Sequence, residues 1–270
     1  MGSMPLLNLM SIRSLTVWRY RSLILNMVER DFRSKYLGSL LGCMWSVIKP
    51  AAMIFIYTVI FSKIMRNKLP DVDDVMGYGI FLCSGLLTWN FFSELLERCL
   101  NIFPENANLI KKVNFPRITL PVGLFISTTI NFSIIFLIFL ITSGRNPGWT
   151  IIGFIPLLLI QQSFSLALGM LLATLNVFFR DIGHLVTIIL QFWFWGTPIV
   201  YPRSILPDKF QFIIEANPMT NLITSYQQIV LKGDWPQWYQ FRYHIVGALM
   251  LLYISYNGYR KLAPEMVDEL

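Results

Sequence analysis

Apolar residues run along this chain in long blocks separated by short polar loops, the pattern of a polypeptide that crosses a membrane several times. A helix rises about 1.5 Å per residue and needs roughly 20 apolar residues to cross the hydrocarbon. Six segments suit that length, at 37–61, 78–98, 118–141, 151–178, 184–201 and 241–259. They predict an all-α integral membrane domain over 36–270 with six transmembrane helices. A helical arm precedes it over 4–35, and residues 1–3 read as an appended tail before the native start.

The arm "SIRSLTVWRYRSLILNMVERDFRSKY" places Leu15, Trp18, Leu25, Val28 and Phe32 on one side, with Arg21 intruding and Leu23 and Met27 straying from it. This predicts a basic amphipathic helix lying in the membrane interface. Between the fifth and sixth spans, 210–216 and 218–231 are apolar but too short to cross, and Asn217-Pro218 breaks them apart. Unpaired backbone cannot face lipid, so they read as re-entrant or interfacial helices packed against protein, or as a helical hairpin lying on the surface.

Composition supports a membrane chain. Charged residues make up 14% of the 270 positions, against about 25% in an ordinary soluble domain. The formal net charge of +7 fits orientation in a membrane and contact with anionic lipid, so nucleic acid is not called for. Leaving out Lys49, the loops on the side of the termini carry 13 Lys and Arg and the opposite loops 8, which predicts that both termini are cytoplasmic. Cys43, Cys83 and Cys99 have no metal or redox spacing and read as small buried apolar residues.

Several chemistries are missing. The chain has no Gly-Lys dipeptide and hence no P-loop, so it is not its own ATPase by that route. It has no H-E-x-x-H, and His184 and His244 lie near span ends as packing or interfacial residues. The third and fourth spans, 118–141 and 151–178, contain no ionisable residue, which leaves no proton relay within them. Glu94 and Arg98 stand i, i+4 and read as a structural pair or a cytoplasmic contact, and Arg180-Asp181 reads as a capping pair between the fourth and fifth spans.

The runs "ERDFRSKYLGSLLGCMWSVIKP", "GLLTWNFFSELL", "NANLIKKVNFPRITLP", "NVFFRDIGHL", "TPIVYP" and "NPM" follow one another in an order that resembles the membrane subunit of type-2 ABC exporters. The resemblance is to the branch that exports lipid-linked polysaccharide such as O-antigen and teichoic acid. The ending "KLAPEMVDEL" is similar to that branch too. The resemblance implies a homodimer in the bacterial inner membrane, joined to two separate ATP-binding subunits that hold the ATP and Mg. It also implies a channel for polysaccharide carried on undecaprenyl diphosphate.

Under that resemblance, the loop carrying Asn108, Leu109, Ile110, Lys111, Lys112, Phe115, Pro116 and Arg117 matches a coupling helix that docks on the ATPase, with Leu109 and Ile110 as apolar anchors. The plain alternative is a solvated basic loop. Arg30, Arg33, Lys35 and Lys49 are candidates for receiving the lipid diphosphate, since cations bind phosphate oxygens, although attraction to bulk anionic lipid explains the same residues. Pro50 predicts a bend at the channel mouth beside Lys49.

Tyr57, Phe61, Phe192, Trp193, Trp195 and Tyr201 are candidates for a sugar path, because sugar C–H faces pack on rings; an interfacial aromatic belt is the alternative. Consecutive residues point all round a helix, so only some of these face a channel. Two rival functions remain: a type-2 ABC permease for a small hydrophobic drug, and a membrane-bound glycosyl- or acyltransferase. The second needs an acid or His pair at a membrane face, and none stands out.

Overall fold

The structure, a computed structural model, describes residues 20–36, 77–112, 115–203 and 207–269, with isolated positions between 44 and 59. Every described regular element is helical. In chain order these are α1 (Arg21–Tyr36), α2 (Gly77–Glu105), α3 (Ala107–Lys112), α4 (Thr119–Ser143) and α5 (Phe154–Phe178), the last entered through a 3-10 turn at Gly148–Gly153. Then follow α6 (Asp181–Trp195), α7 (Asp208–Ala216), α8 (Pro218–Lys232), α9 (Arg242–Leu262) and α10 (Met266–Glu269). Most of the first predicted span, 37–61, lies outside the described residues.

Three helical runs, 77–105, 119–143 and 148–178, are long and apolar enough to cross a membrane. Each overlaps the corresponding predicted segment, with ends shifted by up to seven residues. In place of the predicted fifth span, 184–201, the helix α6 covers Asp181–Trp195, starting and ending earlier than expected, and at about 1.5 Å per residue it rises about 22 Å. The chain then turns, with Gly196 N–H bonded to Phe192 O at 3.0 Å and Ile199 N–H to Thr197 O at 2.7 Å.

α2 is the central helix, packed against α4, α5, α6 and α8. Small residues let it come close to α5. A Cβ added at Gly169 would lie 2.8 Å from the Cys99 Sγ, so these backbones meet only because Gly169 has no side chain. Polar groups then cross the interface: Gln161 donates to Thr88 O at 3.1 Å and Asn176 Nδ2 to Leu100 O at 2.9 Å. Cys83 and Cys99 are both buried, as their apolar surroundings predict.

α8 is a core element. Met219, Leu222, Ile223, Tyr226 and Ile229 have no exposed surface, and Gln227 reaches Phe81 O on α2 at 3.3 Å. This overturns the surface hairpin for α8, while α7 remains largely exposed. Asn217 divides the two helices at the predicted break. Its Oδ1 caps α8 through Met219 N–H at 3.0 Å and accepts from Trp193 Nε1 at 2.8 Å, and its Nδ2 donates to Thr197 Oγ1 at 2.8 Å. His244 Nε2 sits 2.7 Å from Pro218 O and so ties α9 to the same corner, a packing role.

The arm helix differs from the predicted amphipathic side. Leu25 is 62% exposed, whereas Ile24 and Val28 are buried, and Leu23 and Met27 pack into the cluster below. The reason is that α1 packs against α4, with Met27 against Gly123, so its buried side is chosen by that helix.

Candidate functional site

Two sites lie at opposite ends of the bundle. At the first, α2 stops after Pro104 and the chain reverses at Asn106, whose side-chain amide donates to Ile102 O at 2.8 Å. Asn106 O then accepts from Leu109 N–H at 3.0 Å and Ile110 N–H at 2.9 Å, which starts α3. Pro116 precedes α4, and its carbonyl accepts from Thr119 Oγ1 at 2.9 Å. The Arg117 guanidinium donates to Ala263 O, joining the loop to the end of α9.

This geometry sorts the candidate coupling residues. Ile110 and Phe115 are buried, in one cluster with Leu95, Phe103, Leu120 and Met266. Leu109 is half-buried against the same cluster, and Pro116 and Arg117 are half-buried. The expectation that Ile110 anchors in a partner's groove is therefore corrected: it fastens α3 to its own bundle. A six-residue helix turns one side to its support, which leaves Asn108, Lys111 and Lys112 as the exposed face.

Beside this loop, α1 is tied to the bundle by charge. Arg98 pairs with Asp31, whose other carboxylate oxygen accepts from Ser127, and Glu94 stands 3.6 Å from the Arg98 guanidinium. The Glu94–Arg98 pair thus belongs to a network that joins α1, α2 and α4. Arg30 donates to Asn106 Oδ1 at 3.2 Å, and Arg33 pairs at 2.6 Å with Glu29 on the exposed surface of α1. A cavity of about 190 Å³ lies here, lined by Arg30, Asp31, Arg98, Asn106 and Ser127 among others. The Lys35 side chain and Lys49 with Pro50 lie outside the described residues, as does Cys43.

The α5–α6 turn is capped by a residue that sequence reasoning missed. Arg180 makes no side-chain cap, whereas Asn176 Oδ1 accepts from Gly183 N–H at 3.1 Å. Asp181 is exposed in the first turn of α6. A cavity of about 640 Å³ opens beside this turn, lined by Glu97, Asn101, Asn176, Arg180, His184 and Glu269 among others. Among the described residues no His, Cys, Asp and Glu side chains group to hold a metal ion.

At the other end, α6 divides its aromatic residues. Leu185, Ile188, Ile189, Phe192 and Trp195 form an exposed apolar strip at helical spacing, with Phe192 77% exposed. Trp193 turns the opposite way. Its ring packs edge-on against Trp89, Phe92 and Phe164 at 6.2, 5.2 and 6.4 Å, inside the protomer rather than with the strip. Tyr201 is half-buried and bonds Trp195 O at 2.8 Å, which folds the turn after α6 back onto its last residue. Tyr57 and Phe61 lie outside the described residues.

Three helical runs long and apolar enough to cross a membrane, with a short basic helix fastened at one end, define a multi-pass membrane protein. More narrowly, the chain belongs to the ABC-2 type transporter family, whose model matches residues 22–231. It is similar to the O-antigen export system permease protein RfbA of Myxococcus xanthus, 33% identical over 94% of this chain and 97% of that protein. A protein of the same name in Klebsiella pneumoniae is 30% identical over 92% of this chain and 95% of its own length. The polysialic acid transport protein KpsM of Escherichia coli is 22% identical over 88% of this chain and 92% of its length.

Proposed function

We propose that this chain is the channel-forming subunit of an ATP-driven exporter that moves polysaccharide of the O-antigen kind, carried on undecaprenyl diphosphate, out of the cytoplasm. Two copies, each with six spans and cytoplasmic termini, pair in the bacterial inner membrane and work with two ATP-binding subunits that hold ATP and Mg. The family places the chain among ABC transporters, and the relatives above are named for polysaccharide cargoes. No observation favours a small hydrophobic drug or a transferase.

The observation that carries the reading is the exposed apolar strip on α6, which ends in the rings of Phe192 and Trp195. In a homodimer that strip faces the channel, together with Tyr57 and Phe61 of the first span. Rings offer sugar C–H faces a smooth apolar contact that binds no single unit tightly. Arg30, Arg33, Lys35 and Lys49 receive the diphosphate at the cytoplasmic mouth, and the α3 face of Asn108, Lys111 and Lys112 receives the ATPase.

The test is export in cells that lack their own permease and carry this chain with its ATPase. Phe192→Ala with Trp195→Ala is expected to lower surface polysaccharide about tenfold at normal membrane levels, equivalent to about 1.4 kcal/mol of transport barrier. Polymer should collect in the cytoplasm. Full surface display by that variant would overturn the sugar path.

A further inference from the structure

The segment after α9 runs to the base of α3. Ala263 N–H bonds Tyr259 O at 2.8 Å, and the Ala263 carbonyl accepts from Arg117, whose loop carries α3. Met266 then has no exposed surface and lies in the same cluster as Ile110, Phe115 and Leu120. The flanking residues Pro264, Glu265 and Glu269 are exposed, and among the described side chains of this short, acidic segment Met266 is the buried one, directly under the coupling helix. A six-residue helix is not stable alone and takes its shape from what packs beneath it. Met266 supplies part of that support, and α10 contacts α3 directly.

We propose that Ala263–Glu269 is the second half of the surface that receives the ATP-binding subunit, with Met266 as the positioning residue that pins α3. The inference rests on reading α3 as the docking helix. Glu265 adds an exposed acid to a surface whose α3 half offers Lys111 and Lys112. The partner therefore presents acidic groups to α3 and a basic group to the segment. At its far end Glu269 lines the cavity beside the first turn of α6, so the segment also connects the docking surface to the helix that carries the exposed strip.

The experiment uses the full chain, alone and with its ATPase. Met266→Asp should speed amide hydrogen exchange at 107–112 about tenfold in the chain alone, and Met266→Leu should not. With the ATPase, Met266→Asp should lower co-purification about fivefold at unchanged membrane level, and Met266→Leu should restore it. Faster exchange with full association would overturn the proposal, and so would no change in either readout. If Met266→Asp fails to accumulate, the exposed Glu265→Lys decides. An about threefold loss of association supports the proposal, and wild-type association overturns it. Lys111→Glu with Lys112→Glu is the reference: if that variant also keeps the ATPase, the docking role of α3 fails, and not the pin alone.

Discussion

α2 and α4 are both apolar helices long enough to cross a bilayer, yet they do opposite things. α4 is the more apolar of the two and the less buried, with Ile134, Leu137 and Ile141 exposed. α2 is less apolar and buried along most of its length, including Ser84 and Thr88. In water the greater hydropathy would mark the core. Lipid tails are as apolar as leucine, so nothing drives a leucine inward; close packing of small residues and interhelical hydrogen bonds decide which helix is central. Gly169 against Cys99 and Gln161 against Thr88 show both at work on α2.

The sharpest way to break this comparison is to shorten one side chain on each helix. Phe92, with no exposed surface, packs on Trp89, Phe164 and Trp193. Phe92→Ala is expected to cost about 3–5 kcal/mol, read as a lower unfolding temperature of the purified protein. Ile141→Ala on α4, at a position 73% exposed, should change stability by less than about 0.5 kcal/mol. Equal losses would sink the distinction.

Glycine offers a second contrast. Gly169→Ala places a methyl 2.8 Å from the Cys99 Sγ and 2.9 Å from its Cβ, and should cost about 1–3 kcal/mol by overpacking. Gly247→Ala on α9 meets no described residue within 4 Å and should be neutral or stabilise by up to about 1 kcal/mol through helix propensity. A further contrast concerns the charged end of the bundle. A double-mutant cycle on Asp31→Ala and Arg98→Ala should give a coupling of about 1–2 kcal/mol, since both side chains keep some contact with solvent. A coupling near zero would mean that this ion pair does not help to hold α1 against the bundle.

Much of the fold was legible in the apolar blocks. The helices at 77–105, 119–143 and 148–178, the break at Asn217-Pro218 and the helices on either side of it follow from length and from proline chemistry. The sites were legible as stretches but not as faces. Trp193 and Phe192 are neighbours in sequence, and only the packing of α6 sends one to Phe92 and the other outward. Ile110 looked like an anchor for a partner because it is apolar in a basic loop, but the same property fastens it to its own core. Asn176 gave no signal as a cap, because the amide it reaches is seven residues away across a turn.

By itself the sequence determined that the chain is helical, crosses a membrane and lacks a nucleotide-binding loop, because hydropathy, span length and a missing motif are local properties of the chain. Only the tertiary structure decided which helix is central, which side of α1 and α3 is buried, and that Met266 lies under the loop that carries α3. In lipid those choices depend on how closely two backbones approach and which polar groups meet between them. That depends on residues far apart in the chain.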